Sequence, residues 1–183
     1  MTIPTLHTAR LTLRPFTPAD APAYFAIRRQ PDVARFLTGA PHETVEESAR
    51  TIARIAAHWA DKPFGIWAVI ERATMRLIGH CGLWSIPETD DTEIAYAFDP
   101  SAWGQGYATE AGAVALRDGF DRARLPLIYG LALPENRASQ RVLQKLGMKF
   151  EGVVSRYYHT VTMCYHMANP ALPEPDPQDT YTP

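Results

Sequence analysis

The chain has 183 residues, 46% hydrophobic and 21% charged, a balance that suits one globular domain able to bury a core without disulfides or metal. A formal net charge of -2 gives no global cationic field for holding nucleic acid or an anionic membrane, so small molecules or single peptides are the expected partners. Two cysteines, Cys81 and Cys164, make no disulfide framework and point to a reducing compartment, the cytoplasm. Neither an apolar export signal at the start nor a run of about 18 apolar residues anywhere is visible, so no membrane span is expected.

Taken in chain order, residues 10–16 alternate apolar and polar side chains and stop at Thr17-Pro18-Ala19-Asp20, which predicts a strand and then a helix start. Helical spacing follows over 19–30 and 43–61, with Ile52, Ile55, Ala56 and Trp59 on one face of the second helix. Three β-rich runs, 65–71, 76–84 and 92–98, read as an antiparallel meander. A Gly-rich turn then leads into a helix from about 107 to 122, a strand over 127–133 and a helix over 136–146. The strands flanking the first of these helices are expected to be parallel. Runs at 148–157 and 161–167 close a domain of residues 1–169, a seven-stranded α/β arrangement. Residues 170–183, with five prolines, are expected to be a disordered tail.

The most informative stretch is Thr92-Glu93-Ile94-Ala95-Tyr96-Ala97-Phe98-Asp99-Pro100-Ser101-Ala102-Trp103-Gly104-Gln105-Gly106-Tyr107-Ala108-Thr109-Glu110-Ala111, a strand entering a Gly-rich turn and then a helix. Gly104, Gly106 and small Ala108 let backbone N–H groups face inward beside a helix N-terminus, an anion receptor that needs no Lys or Arg. A tight strand-to-helix turn explains the same two glycines. A dinucleotide fingerprint would need a glycine where Thr109 stands, and a P-loop would need Gly-Lys-Ser/Thr; neither is present. A second signature is Leu133-Pro134-Glu135-Asn136-Arg137-Ala138-Ser139, followed by Val142-Leu143 and Lys145-Leu146-Gly147-Met148.

The Trp103-to-Ala111 string resembles the pyrophosphate loop of the GNAT superfamily of N-acetyltransferases. Trp103 stands where most members carry Gln or Arg, a form similar to the RimJ/RimL-like branch of ribosomal-protein alanine N-acetyltransferases. Weaker echoes, Arg10-Leu11-Thr12-Leu13-Arg14, Leu77-Ile78-Gly79 and Glu93-Ile94-Ala95-Tyr96, extend the resemblance over about residues 8–169. It implies the GNAT fold: a mixed, mostly antiparallel seven-stranded sheet with flanking helices and a splay between the fourth and fifth strands. It also implies acetyl-CoA as acyl donor without a metal, and direct attack by a primary amine, either a protein N-terminus or a small molecule, in a monomer or homodimer.

Residue by residue, the resemblance assigns Trp103, Gly104, Gln105, Gly106, Tyr107, Ala108 and Thr109 to the cofactor's pyrophosphate. Phe98, Asn136 and Ser139 fall to its pantetheine arm, and a backbone N–H near Phe98 to the oxyanion. Glu93 is the candidate base, acting directly or through water, with Glu110 as second choice. A solvated strand carboxylate for Glu93, a helix-dipole carboxylate for Glu110 and a helix cap for Asn136 are the structural alternatives. Members often carry a Tyr seven residues after the Asn as acid for the departing thiolate, but Leu143 stands there. Ser139, one turn earlier on the same face, is the candidate acid, with Tyr157 or Tyr158 as substitutes. Without that Tyr, a non-catalytic acetyl-CoA sensor or scaffold of the same fold is the alternative function.

Other residue groups carry less. Cys81 beside His80 points to the opposite strand face, so core packing is expected. His159, Cys164 and His166 lack a second ligand pair for a metal site. Trp59, Trp67 and Trp84 read as core, although Trp67 and Phe36 would also suit an acceptor pocket, expected to form from residues 28–44 and the late strands.

Overall fold

In the computed structural model, residues 2–37 and 44–172 are described. An eight-stranded sheet runs in the order β1-β2-β3-β4-β5-β6-β8-β7. Its strands are β1 (Leu6–His7), β2 (Leu11–Arg14), β3 (Ile66–Glu71), β4 (Arg76–Ser85), β5 (Thr92–Phe98), β6 (Leu127–Ala132), β7 (Lys149–Val154) and β8 (Thr162–Ala168). The helices are α1 (Ala21–Arg28), α2 (Pro31–Ala34), α3 (Val45–Asp61), α4 (Tyr107–Asp121) and α5 (Arg137–Lys145). Every neighbouring pair is antiparallel except β5 with β6.

The eighth strand, β1, exceeds the seven expected. It is two residues long and exists only through its pairing of Leu6 with Leu13 and His7 with Thr12, too short to display an alternation of its own. The helix expected over 19–30 is divided into a 3-10 turn at Pro18–Asp20 and α1, and a separate short helix outside that expectation, α2, opens at Pro31. Proline pre-sets the first turn of a helix, so Pro18, Pro22 and Pro31 each favour a fresh start over continuation. Helix α3 begins at a capping box in which the Thr44 hydroxyl accepts from Glu47 N and the Glu47 carboxylate accepts from Thr44 N. Its buried stripe is Ser48, Ile52, Ile55 and Trp59, whereas Ala56 is exposed. Residues 38–43 of the expected acceptor segment and 173–183 of the expected tail lie outside the described residues.

Cross-strand partners share a face, which sorts the side chains of β5. Glu93, Ala95 and Ala97 lie opposite Trp84, Gly82 and His80 of β4. Tyr24 of α1 sets its ring edge-on to His80 at 5.6 Å, and His58 of α3 stacks on Trp84 at 4.1 Å, so these helices reach the Glu93 face. On the other face Ile94 packs among Leu116 and Phe120 of α4 and Leu143 of α5. Trp67 is completely buried against Trp59, with its indole N–H donating to Pro4 O, and is core rather than pocket lining. Cys81 is also completely buried, and burial pushes its thiol pKa up to about 12, which fits the expected packing role.

Candidate active site

The ladder between β5 and β6 is a single parallel position, Glu93 opposite Tyr129. Beyond it the strands part, producing the splay. Asp99 N donates to Ile78 O at 2.8 Å across β4. By the alternation of an antiparallel ladder, the backbone groups of Ala95 and Ala97 serve β4, while those of Tyr96 and Phe98 turn toward the gap. The Phe98 carbonyl accepts from the Trp103 indole at 2.8 Å, bringing that ring over the end of the strand with 44% of its surface exposed. Gly79, opposite Phe98, has no room for a side chain: a Cβ there would sit 2.3 Å from Ala97 O.

After β5 the chain turns sharply. Asp99 Oδ1 accepts from Ser101 N at 2.8 Å and from its hydroxyl at 2.6 Å, closing a 3-10 turn at Pro100–Ala102. Gly104 and Gly106 adopt φ of +75° and +81°, the left-handed region glycine enters without steric cost. Gly106 is the N-cap of α4, and the first helical bond runs from Glu110 N to Gly106 O. The amides of Tyr107, Ala108 and Thr109 therefore stand outside the helical ladder at its positive end. No atom lies within 4 Å of a Cβ built on Gly104, and only Arg10 Nη2, at 3.6 Å, approaches one on Gly106. The backbone at these two glycines is therefore open to an anion.

Two side chains of this loop turn elsewhere. The Tyr107 hydroxyl donates to Glu71 Oε1 at 2.6 Å while Arg10 lies over its ring, and Gln105 Nε2 donates to Ser101 O at 2.9 Å. Their backbone remains for an anion. Glu110 accepts from the Thr8 hydroxyl at 2.5 Å, from Arg10 N at 3.0 Å and from Arg10 Nε at 2.7 Å, and Arg10 Nη1 donates to Gln105 O at 2.9 Å. Burial acts to raise the Glu110 pKa, but the Thr8 and Arg10 donors and the Arg10 charge outweigh it and hold the carboxyl below its ordinary value. Glu110 ties the amino-terminal segment to the Gly-rich loop, a structural duty.

Glu93 is 8% exposed, between Trp84 on β4 and Tyr129 on β6, and burial raises its pKa from 4.5 to about 7, against the hydrogen bond that lowers it. That bond comes from the Tyr158 hydroxyl, which donates to Glu93 Oε1. The neighbouring Tyr157 hydroxyl donates to Asp91 at 2.7 Å. Both tyrosines thus serve carboxylates on the Glu93 face rather than standing free for a thiolate. Tyr158 and His159 hold φ of +54° and +51°, a left-handed pair that folds the connection between β7 and β8 back over the sheet. A carboxylate with a pKa near neutrality at the mouth of a gap in a sheet is equipped to take a proton from an amine.

On the far side of the gap, Asn136 is the N-cap of α5, its Oδ1 accepting from Ser139 N at 3.0 Å. Cap and functional group are compatible here, since the Asn136 side-chain N–H donors make no hydrogen bond among the described residues. The Ser139 hydroxyl meets the Tyr96 hydroxyl at 2.9 Å, a partner that no spacing rule singled out because 43 residues separate the two. Leu143 is 1% exposed and packs on Gly130, Met148 and Tyr165. Among the described residues no group of three or more His, Cys, Asp or Glu is arranged to hold a metal ion. Glu151 Oε2 lies 3.5 Å from Cys164 Sγ and 3.6 Å from His166 Nδ1.

The acetyltransferase (GNAT) domain family matches residues 10–149, well over half of the chain. The protein is a member of the GNAT acetyltransferase family. It is 32% identical over 157 residues to the uncharacterized N-acetyltransferase YoaA of Bacillus subtilis, covering 85% of this chain and 89% of that one. An acetyltransferase structure from Agrobacterium tumefaciens aligns over 91% of this chain and 95% of its own, with TM-score 0.78 and 27% identity. RimJ of Mycobacterium smegmatis, solved in complex with CoA-disulfide, shares the fold over 89% of this chain and 84% of its own, with TM-score 0.77 and 21% identity. Within this GNAT protein the β5–β6 gap is the splay of the family fold, and membership implies acetyl transfer from acetyl-CoA. No helix among the described residues is long and apolar enough to cross a membrane.

Proposed function

We propose that this protein transfers the acetyl group of acetyl-CoA to a primary amine, a protein N-terminus or a small molecule, by direct attack without an acyl-enzyme. In this reading the backbone from Gly104 to Thr109 receives the pyrophosphate, and the gap-facing backbone of Phe98 with the Asn136 side chain guides the pantetheine arm. Glu93 accepts the proton of the attacking amine, and the Ser139 hydroxyl donates toward the departing sulfur. The observation that carries it is the buried Glu93, raised to about pH 7 at the one paired position of the gap. An α-amino group, with its pKa of about 7.7 to 8.0, demands less of such a base than a lysine ammonium near 10.4. The two cysteines, both unpaired and buried, suit a cytoplasmic protein, as a monomer or homodimer.

The test is amine-dependent thiol release from acetyl-CoA by purified protein across N-terminal peptides, amino acids, aminoglycosides and polyamines, with acetyl-CoA binding measured in parallel. Release with one class supports the reading and names the acceptor class. Tight acetyl-CoA binding with no turnover on any amine overturns it in favour of a non-catalytic sensor.

A further inference from the structure

The hydroxyl pair Tyr96–Ser139 spans the splay from opposite walls: Tyr96 comes from β5 and Ser139 from the first turn of α5. The tyrosine oxygen lies 2.9 Å from Ser139 Oγ and 3.3 Å from Ser139 O, so one O–H has two acceptors on a single residue. When Tyr96 donates to the carbonyl, its oxygen accepts the Ser139 proton and occupies it. When Tyr96 donates to Ser139 Oγ, the Ser139 proton is released and is free to aim into the gap. Burial raises the Tyr96 pKa, while the Ser139 contact acts to lower it. Across the working pH range the phenol therefore stays a neutral donor.

We infer that Tyr96 is a positioning residue for thiolate departure, its hydroxyl rotating onto Ser139 Oγ so that the serine proton points at the leaving sulfur. The inference rests on the acetyltransferase reading. As the amine nitrogen bonds to the acetyl carbon, the C–S bond breaks and its electron pair goes to sulfur. The surplus amine proton goes to Glu93. Ser139 Oγ–H donates a hydrogen bond to the sulfur, and Tyr96 O–H supplies one to Ser139 Oγ, so the two oxygens keep their protons. The CoA thiolate takes its proton from water on leaving, and Glu93 returns one to water. A chained donor is stronger than an isolated one, because each bond polarises the next. This hydroxyl pair thus stabilises the departing thiolate by hydrogen bonding, where Leu143, a core side chain, offers no acid.

The decisive measurement compares acetyl-CoA with its selenoester analogue, whose selenolate leaves without help because a selenol is a much stronger acid than a thiol. With acetyl-CoA, Tyr96→Phe and Ser139→Ala each lower kcat about ten- to a hundredfold with KM for acetyl-CoA nearly unchanged, the worth of one hydrogen bond to a developing charge. The double variant is no worse than Ser139→Ala. With the selenoester both deficits shrink to about twofold. Ser139→Ala keeps the α5 cap, since Asn136 accepts from the Ser139 backbone. A Tyr96→Phe deficit equal for both donors, or additive with Ser139→Ala, overturns the inference and makes the tyrosine a packing residue. Wild-type protein inert toward every amine with both donors overturns the acetyltransferase reading and this inference with it.

Discussion

Replacing Glu93 by Gln sets stability against activity, with the crossover located by the environment of one carboxyl. Gln keeps the acceptor for Tyr158 and removes the titration. In the folded protein the Glu93 pKa is raised from 4.5 to about 7 by burial. At about 1.4 kcal/mol per pH unit, ionising Glu93 where it stands costs roughly 3 kcal/mol more than in the unfolded chain. Because the folded pKa lies above the unfolded one, the contribution to stability is complete below the unfolded value and is lost as pH rises through about 7. Denaturant unfolding is therefore expected to find wild type and Glu93→Gln within about 1 kcal/mol at about pH 5, and the variant more stable by roughly 2 to 3 kcal/mol at about pH 8.5. In the same protein kcat/KM falls by two orders of magnitude or more, about the worth of a general base, and the limb of the pH profile centred near 7 disappears. A stability gap equal at both pH values would refute the buried, titrating carboxyl. Survival of the pH limb in Glu93→Gln would remove Glu93 from the base role.

Three further outcomes follow from the geometry. Tyr158→Phe removes the one hydrogen bond that lowers the Glu93 pKa, so the acidic limb of the kcat/KM profile is expected to move to higher pH; a shift in the opposite sense contradicts the assignment. Gly106→Val forces a β-branched residue to φ +81°, at a cost of about 1–2 kcal/mol, and crowds the anion approach. Acetyl-CoA affinity by calorimetry is expected to fall about tenfold or more while the fold survives, since Arg10 Nη2, at 3.6 Å, is the group that the added Cβ meets. Glu110→Ala unties Thr8 and Arg10 from α4 and should lower stability by about 1–3 kcal/mol in denaturant titrations. Because the Glu110 pKa is lowered in the fold, that loss is full above its ordinary value and fades as the pH falls below it.

Much of the architecture was legible in the amino-acid order because its signals are local. Alternation located β2, β-rich runs located the later strands, helical spacing located α1 and α3, and the Gly-x-Gly turn marked where β5 passes into α4. Gly104 and Gly106 carry their backbone consequence in themselves, since left-handed φ is what glycine alone adopts without strain. The departures fall where a local pattern is too short or is interrupted: β1 has two residues, a 3-10 turn at Pro18–Asp20 precedes α1, and Pro31 opens the additional four-residue α2.

What only the tertiary structure decided concerns which groups meet. Alternation separates Glu93 from Ile94 but does not say that both faces are dry; the covering by α1 and α3 and the return of the β7–β8 connection bury Glu93 as α4 and α5 bury Ile94. Tyr158 reaches Glu93 across 65 residues and Ser139 reaches Tyr96 across 43, pairings that depend on the order β5-β6-β8-β7 and leave no mark on either segment alone. Tyr107 and Gln105 sit in the loop the motif named, yet their side chains are drawn to Glu71 and Ser101. A short-range pattern determines backbone conformation, and the pKa of a carboxyl or the free proton of a hydroxyl is determined by whatever the fold brings within about 3 Å of it.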